Sequence, residues 1–169
     1  MREYIAGEVR APKKQWFYEI LDGTREAANV IHNEEDFMVV PDLDNNNPGT
    51  ANWLVLFKDL SLHSIRDLRG EHVALLEHVR DTVVRLMGEA RGYTARQVMC
   101  FFHYLPSVFQ LHLHVCAPYG QYTTADVIKV HAVDTVVSNL RIDSDFYLKA
   151  TLTTVVIQDS ELAEIYYDT

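Results

Sequence analysis

The sequence predicts an α+β fold: a mainly antiparallel sheet with one long helix. Three observations lead there. The chain has 169 residues, 48% of them hydrophobic, which suits one domain with a buried core and is short for two. Its strand-like runs lie next to one another in sequence. Its helix-periodic stretches stand between groups of strands.

The elements follow in order. Gln15 to Leu21 places Trp16, Phe17, Ile20 and Leu21 on one helical face, and Asp22-Gly23 ends or bends that helix. Phe37 to Val40 reads as a buried strand stopped by Pro41. Residues 44–50, dense in turn formers, read as a loop inside the domain. Trp53 to Phe57 reads as a second strand. Glu71 to Met87 is the best helix, with Val73, Leu76, Val79, Val83, Leu86 and Met87 along one side and Gly88 and Gly92 marking its end. Val98 to Tyr104 and Leu111 to Cys116 read as strands joined by Leu105 to Phe109. His131 to Leu140 reads as a helix, Leu152 to Ile157 as a β-branched strand, and Ser160-Glu161 as the cap of a short terminal helix.

Charge narrows the function. Fifteen Lys+Arg against 24 Asp+Glu leave a formal net charge of −9. Neutralising the phosphates of long nucleic acid needs a basic face, and docking on anionic lipid needs basic clusters, so neither partner is expected. The two cysteines, Cys100 and Cys116, are too few for a disulfide framework, which points to a reducing compartment, cytoplasmic or nuclear. The opening MREYIAGEVR lacks the apolar run of a signal peptide, and no stretch of about eighteen apolar residues is present.

The chemistry concentrates in Gln110-Leu111-His112-Leu113-His114-Val115. Strand alternation puts Gln110, His112 and His114 on one face and turns Leu111, Leu113 and Val115 to the core. Neutral imidazole is a nucleophile, and its pKa near 6.5 leaves much of it unprotonated at pH 7. A neighbouring histidine can carry a proton or hydrogen-bond a phosphate oxygen. Two other readings stand beside this one. The histidines can be ordinary polar-face residues, or half of a zinc site. Zinc needs three or four ligands; His103 is the nearest further candidate and the cysteines show no ligand spacing, so no metal and no cofactor is expected.

The run His103-Tyr104-Leu105-Pro106-Ser107-Val108-Phe109-Gln110-Leu111-His112-Leu113-His114-Val115 resembles the active-site segment of the scavenger mRNA decapping enzymes, members of the histidine triad superfamily. Trp16 to Asp22 with Glu26, Phe37 to Leu43, and Ser64 to Leu68 followed by Glu71-His72 resemble further segments of that family's C-terminal domain, in the same order. The resemblance runs from about Trp16 to the C-terminus, so residues 1–15 are expected to be an N-terminal extension and residues 16–169 the catalytic domain.

The resemblance implies a two-step hydrolysis of the 5′–5′ triphosphate of a capped dinucleotide or short capped fragment. His112 would be the nucleophile, forming a phosphoramidate from which water releases 7-methyl-GMP. His114 would contact phosphate oxygens and assist the leaving group. Ser107 and His103 match positions lining the phosphate path. In the base pocket, Trp16 would stack on the cationic methylated ring, Leu43 would close its other face, Glu26 would accept hydrogen bonds from the guanine edge, and Asp42 matches a second acidic position. The family also implies a homodimer with one sheet continued across it; the helix Val73–Met87 and the strand Val98–Tyr104 are candidates for that surface.

Three departures from the family pattern matter. Gln110 replaces the triad's leading histidine and cannot titrate. Asp44 stands where the family has a lysine, leaving Lys58 and Arg66 as candidate phosphate donors. Only fifteen residues precede Trp16, where the family carries a large N-terminal domain. A non-catalytic cap-binding module and a broader triad hydrolase of nucleotide conjugates therefore stay open as alternatives.

Overall fold

The computed structural model describes residues 4–5, 7, 18–20, 30–42, 50–118, 124–156 and 163. Among them, β1 (His32–Asn33), β2 (Phe37–Pro41), β3 (Ala51–Phe57), β4 (Met99–His103), β5 (His112–Ala117) and β6 (Val130–Ala132) form one sheet in the order β1-β2-β3-β5-β4-β6. Every neighbouring pair is antiparallel. The helices are α1 (Val73–Arg91), α2 (Thr124–Lys129), α3 (Val133–Ile142) and α4 (Phe146–Lys149). This is the predicted α+β arrangement.

Alternation sorts the strands onto two faces. Phe37 and Val39, Val55 and Phe57, Phe102, and Leu113 and Val115 face one way and join Leu76, Val79, Val83 and Met87 of α1 and Val133, Val136, Val137 and Leu140 of α3 in the main core. On the opposite face Met38, Val40 and Leu56 pack with Val108, and Ile20, Val30 and Leu54 lie against them. Cys100 belongs to the main core and pairs in register with Val115, whereas Cys116 pairs with Met99. The two thiols therefore point to opposite faces, and neither is in a disulfide. Burial pushes the Cys100 thiol up to about 12.

The long helix starts later and ends later than its apolar pattern predicts. Residues Gly70–His72 form a 3-10 turn, and α1 runs on through Gly88 to Arg91. Gly92 ends it: its φ of 72° lies in the left-handed region, and its N–H donates to the Gly88 carbonyl at 2.9 Å. Arg80 bridges α1 to Asp134 of α3 at 2.6 Å.

Other boundaries differ for physical reasons. Pro41 does not stop β2; it is the last residue of that strand and pairs with Trp53. The Asp42 N–H donates to Asn52 of β3, so the nitrogen of Pro41 faces the β1 side, beyond the last β1 pair, His32 with Val39, where no ladder bond is lost. His131 is not helical: it pairs with Phe102 as part of β6, and the helix begins at Val133. Residues 151–156 form no ladder. The Thr154 hydroxyl instead donates to the Tyr104 carbonyl and accepts from the Leu105 N–H, which lays the segment against the loop after β4. Of the predicted first helix, Tyr18 to Ile20 are helical, while its Gln15 start and the Asp22-Gly23 end lie outside the described residues, as do residues 44–49 and the Ser160-Glu161 cap.

The sheet continuation expected across a homodimer has a neighbour already in place within the chain: β6 covers β4 over Phe101–His103.

Candidate active site

Three of the predicted residues meet on the face opposite the helices. His112 and His114 project from β5, and His103 from the end of β4. The His103 and His114 rings lie 4.4 Å apart between centroids, and His112 and His114 lie 5.2 Å apart. Phe101 stacks on His114 at 5.2 Å with planes 10° apart. Sequence reasoning did not single out Phe101; the signal available was its place two residues before His103 on an alternating strand.

The local chain fixes which nitrogen of His112 is reactive. His112 Nδ1 lies 2.8 Å from the Gln110 main-chain oxygen. A carbonyl only accepts, so Nδ1 carries the proton and Nε2 keeps its lone pair. Position 110 lies in a bend just before the strand: β5 starts at His112, one residue after the predicted Leu111. Gln110 is 1% exposed, and its carboxamide nitrogen donates sideways to the carbonyls of Phe57 at 2.9 Å and Asp59 at 2.8 Å. Leu111 reinforces the bend by donating to the Leu62 carbonyl at 2.7 Å.

Burial sets the protonation state. His112 is 6% exposed, facing Leu56 across the β3–β5 register, and His114 faces Leu54. Removal from water disfavours imidazolium and holds the His112 pKa below the ordinary histidine value. His114 is pushed down to about 2, by burial first and then by His112 and His103. Both rings are neutral across the physiological range. His112 is thus a neutral base with its unprotonated nitrogen defined as Nε2, and its Nδ1–H stays on a carbonyl dipole that favours positive charge developing on the ring.

Asp42, 9% exposed, follows β2 directly, and its Oδ2 lies 4.0 Å from His114 Nδ1, beyond hydrogen-bond reach. The structure therefore brings this predicted pocket residue to the edge of the imidazole cluster. Ser107 is exposed in the loop between β4 and β5. Trp16, Glu26, Leu43 and Asp44 lie outside the described residues. The two candidate phosphate donors are engaged elsewhere. Arg66 donates to the carbonyls of Tyr147 at 2.8 Å and Ala150 at 2.6 Å and to the Tyr104 hydroxyl at 3.2 Å. Lys58 donates to the Glu34 carbonyl. Among the described residues no group of three or more His, Cys, Asp or Glu side chains is placed to hold a metal ion.

Comparison with known proteins fits this geometry. A family model described as scavenger mRNA decapping enzyme C-term binding matches residues 15–127. The m7GpppX diphosphatase of Ascaris suum is 33% identical over 145 residues, covering 82% of this chain and 48% of that protein. The m7GpppX diphosphatase of Sus scrofa is 29% identical over 154 residues, 88% of this chain and 46% of that one. The chain spans about half the length of these curated relatives. Among solved structures, a histidine triad protein from Clostridium difficile superposes with a TM-score of 0.53 at 17% identity, over 63% of this chain and 92% of that one. Hnt3 in complex with DNA and guanosine gives 0.52 at 20%, over 78% and 79%. At such identities these two structures speak for the fold alone.

Proposed function

This chain belongs to the family of scavenger mRNA decapping enzyme C-terminal domains, and on that premise we propose that it hydrolyses the 5′–5′ triphosphate of methylated cap dinucleotides or short capped fragments through a phosphoramidate on His112. The observation that carries the reading is the bond from His112 Nδ1 to the Gln110 carbonyl, which leaves Nε2 as a neutral nucleophile in a buried site. A neutral nucleophile avoids the repulsion an anion meets at a phosphate.

In the first step Nε2 forms a bond to the phosphorus next to 7-methylguanosine, and the bridging P–O bond breaks. The departing nucleoside diphosphate keeps the electron pair. His114 offers an N–H hydrogen bond to the phosphate oxygens or the leaving oxygen, and the new positive charge on His112 is met by the Gln110 carbonyl. In the second step water adds to phosphorus and the P–N bond breaks, returning that electron pair to Nε2. The products are 7-methyl-GMP and a nucleoside diphosphate, and the water proton passes to solvent. His103 and Ser107 would border the phosphate path. Trp16, Leu43 and Glu26 would hold the methylated base, with Asp42 at the junction of base pocket and imidazoles. Assembly as a homodimer is part of the same proposal, and sedimentation at micromolar protein checks it: a monomer would remove it.

The decisive assay follows products from the methylated cap dinucleotide, its unmethylated analogue and diadenosine triphosphate. Fastest release of 7-methyl-GMP from the first substrate is expected. His112→Ala should lower turnover by more than about 10³-fold, the scale of losing a covalent nucleophile. Rapid-quench mass spectrometry of the native protein should capture a nucleotidyl adduct on His112. Turnover by His112→Ala at the native rate would overturn the mechanism. Tight cap binding with no products would replace it with the binding-module reading, and a preference for diadenosine triphosphate with the broader hydrolase.

A further inference from the structure

We propose that Gln110 is a positioning residue: by donating both carboxamide N–H groups to the Phe57 and Asp59 carbonyls, it fixes the main-chain oxygen that selects the His112 tautomer, and it does so independently of pH. The inference rests on the reading of His112 as nucleophile and adds to it the reason a glutamine can occupy this place.

Both partners of the side chain are carbonyl oxygens, at 2.9 and 2.8 Å, so the NH₂ end of the carboxamide must face them. One nitrogen with two N–H groups satisfies two acceptors at once. A neutral imidazole has a single N–H and would leave one of these carbonyls without its donor. Imidazolium has two, but an ordinary histidine holds that second proton only below about pH 6.5. Glutamine thus supplies, without titrating, a pair of donors that histidine offers only as a cation. The anchoring matters because residue 110 sits in the bend before β5, outside the strand, and its carbonyl lies 2.8 Å from His112 Nδ1. Leu111 ties the same bend twice, through its N–H to Leu62 at 2.7 Å and its carbonyl to the Phe57 N–H at 3.2 Å.

The ionisable groups around Gln110 are occupied elsewhere. Asp59 offers only its main-chain oxygen to Gln110; its carboxylate accepts from Ser61 N–H and hydroxyl and feels His63 and His72 electrostatically. Lys58 reaches the Glu34 carbonyl. On the strand side stands His112 itself, followed by His114 and Asp42. No charge from these groups is delivered to the carboxamide, and its two bonds persist whatever the pH between 6 and 8.

The test uses the full chain and two readouts. Nitrogen-15 NMR of the native protein at pH 7.5 should show His112 as a single tautomer with Nδ1 protonated; Gln110→Ala should show a mixture. With the methylated cap dinucleotide, Gln110→Ala should lower kcat by at least about tenfold with KM little changed, as a misplaced nucleophile does. Gln110→His should show a similar kcat loss at pH 8 that recovers towards pH 6, while the native kcat stays level across that range. A single Nδ1–H tautomer in folded Gln110→Ala, or a Gln110→His pH profile parallel to the native one, would overturn the assignment. Circular dichroism identifies a variant that does not fold, and the Gln110→His profile then decides. If the native protein turns over no capped nucleotide, the functional reading fails, and the tautomer in Gln110→Ala and Gln110→His still decides the positioning role.

Discussion

On the helix side of the sheet, Leu113 and Val115 of β5 are fully buried among Val55, Phe102 and the apolar ridges of α1 and α3. On the other side, His112 and His114 of the same strand sit against Leu54, Leu56 and Phe101. One face has many large neighbours and no titratable group of β5; the other has a small apolar patch around three imidazoles. The first gains stability by excluding water from carbon. The second uses the same exclusion to strip water from nitrogen, which keeps the rings neutral at a cost in stability. The aliphatic residues of the site face therefore belong to the chemistry as much as the histidines do.

Four perturbations break or sharpen this contrast. Leu113→Ala should have the largest effect, a loss of about 2–5 kcal/mol in urea unfolding, because it opens a cavity in the main core; the titration of His112 and His114 should hardly move. Leu56→Ala should cost about 2–3 kcal/mol by the same measurement and, unlike Leu113→Ala, should raise the His112 pKa by admitting water to the ring. Identical histidine titrations in the two variants would abolish the distinction between the faces.

Acid should weaken the fold through the site face. Below about pH 6.5 the unfolded chain protonates its histidines, while His114 stays neutral in the fold until pH approaches about 2. The unfolded state binds more protons, so stability falls as pH falls, by up to about 1.4 kcal/mol per pH unit from this residue, and His112 acts in the same direction. Urea midpoints measured from pH 7 to pH 5 should decrease, and His114→Phe should flatten the slope. The smallest effect belongs to the base pocket: Trp16→Ala should weaken binding of the methylated cap dinucleotide by about 1–2 kcal/mol in calorimetry, the worth of a stacking and cation–π contact.

Much of this was legible in the sequence where a local rule governs. The alternation of Leu113 and Val115 with His112 and His114 predicted the two faces, and the apolar periodicity of Val73 to Met87 predicted the long helix. What was not legible depends on partners distant in sequence. His131 lies in a stretch with helical periodicity, but pairing with Phe102 holds it as a strand. Leu152 to Val156 has strand composition, but its bonds run through the Thr154 side chain and not through a ladder. Arg66 looked like a phosphate donor until the carbonyls of Tyr147 and Ala150 claimed its guanidinium. Gln110 looked like a strand residue because nothing nearby in sequence announces the carbonyls of Phe57 and Asp59.

Pro41 closes β2 with its ring nitrogen turned to the sheet margin, and Asp42 follows it at 4.0 Å from His114. With no N–H at that point, β2 leaves no unpaired donor beyond the end of β1, so this position gives another strand nothing on which to extend the sheet.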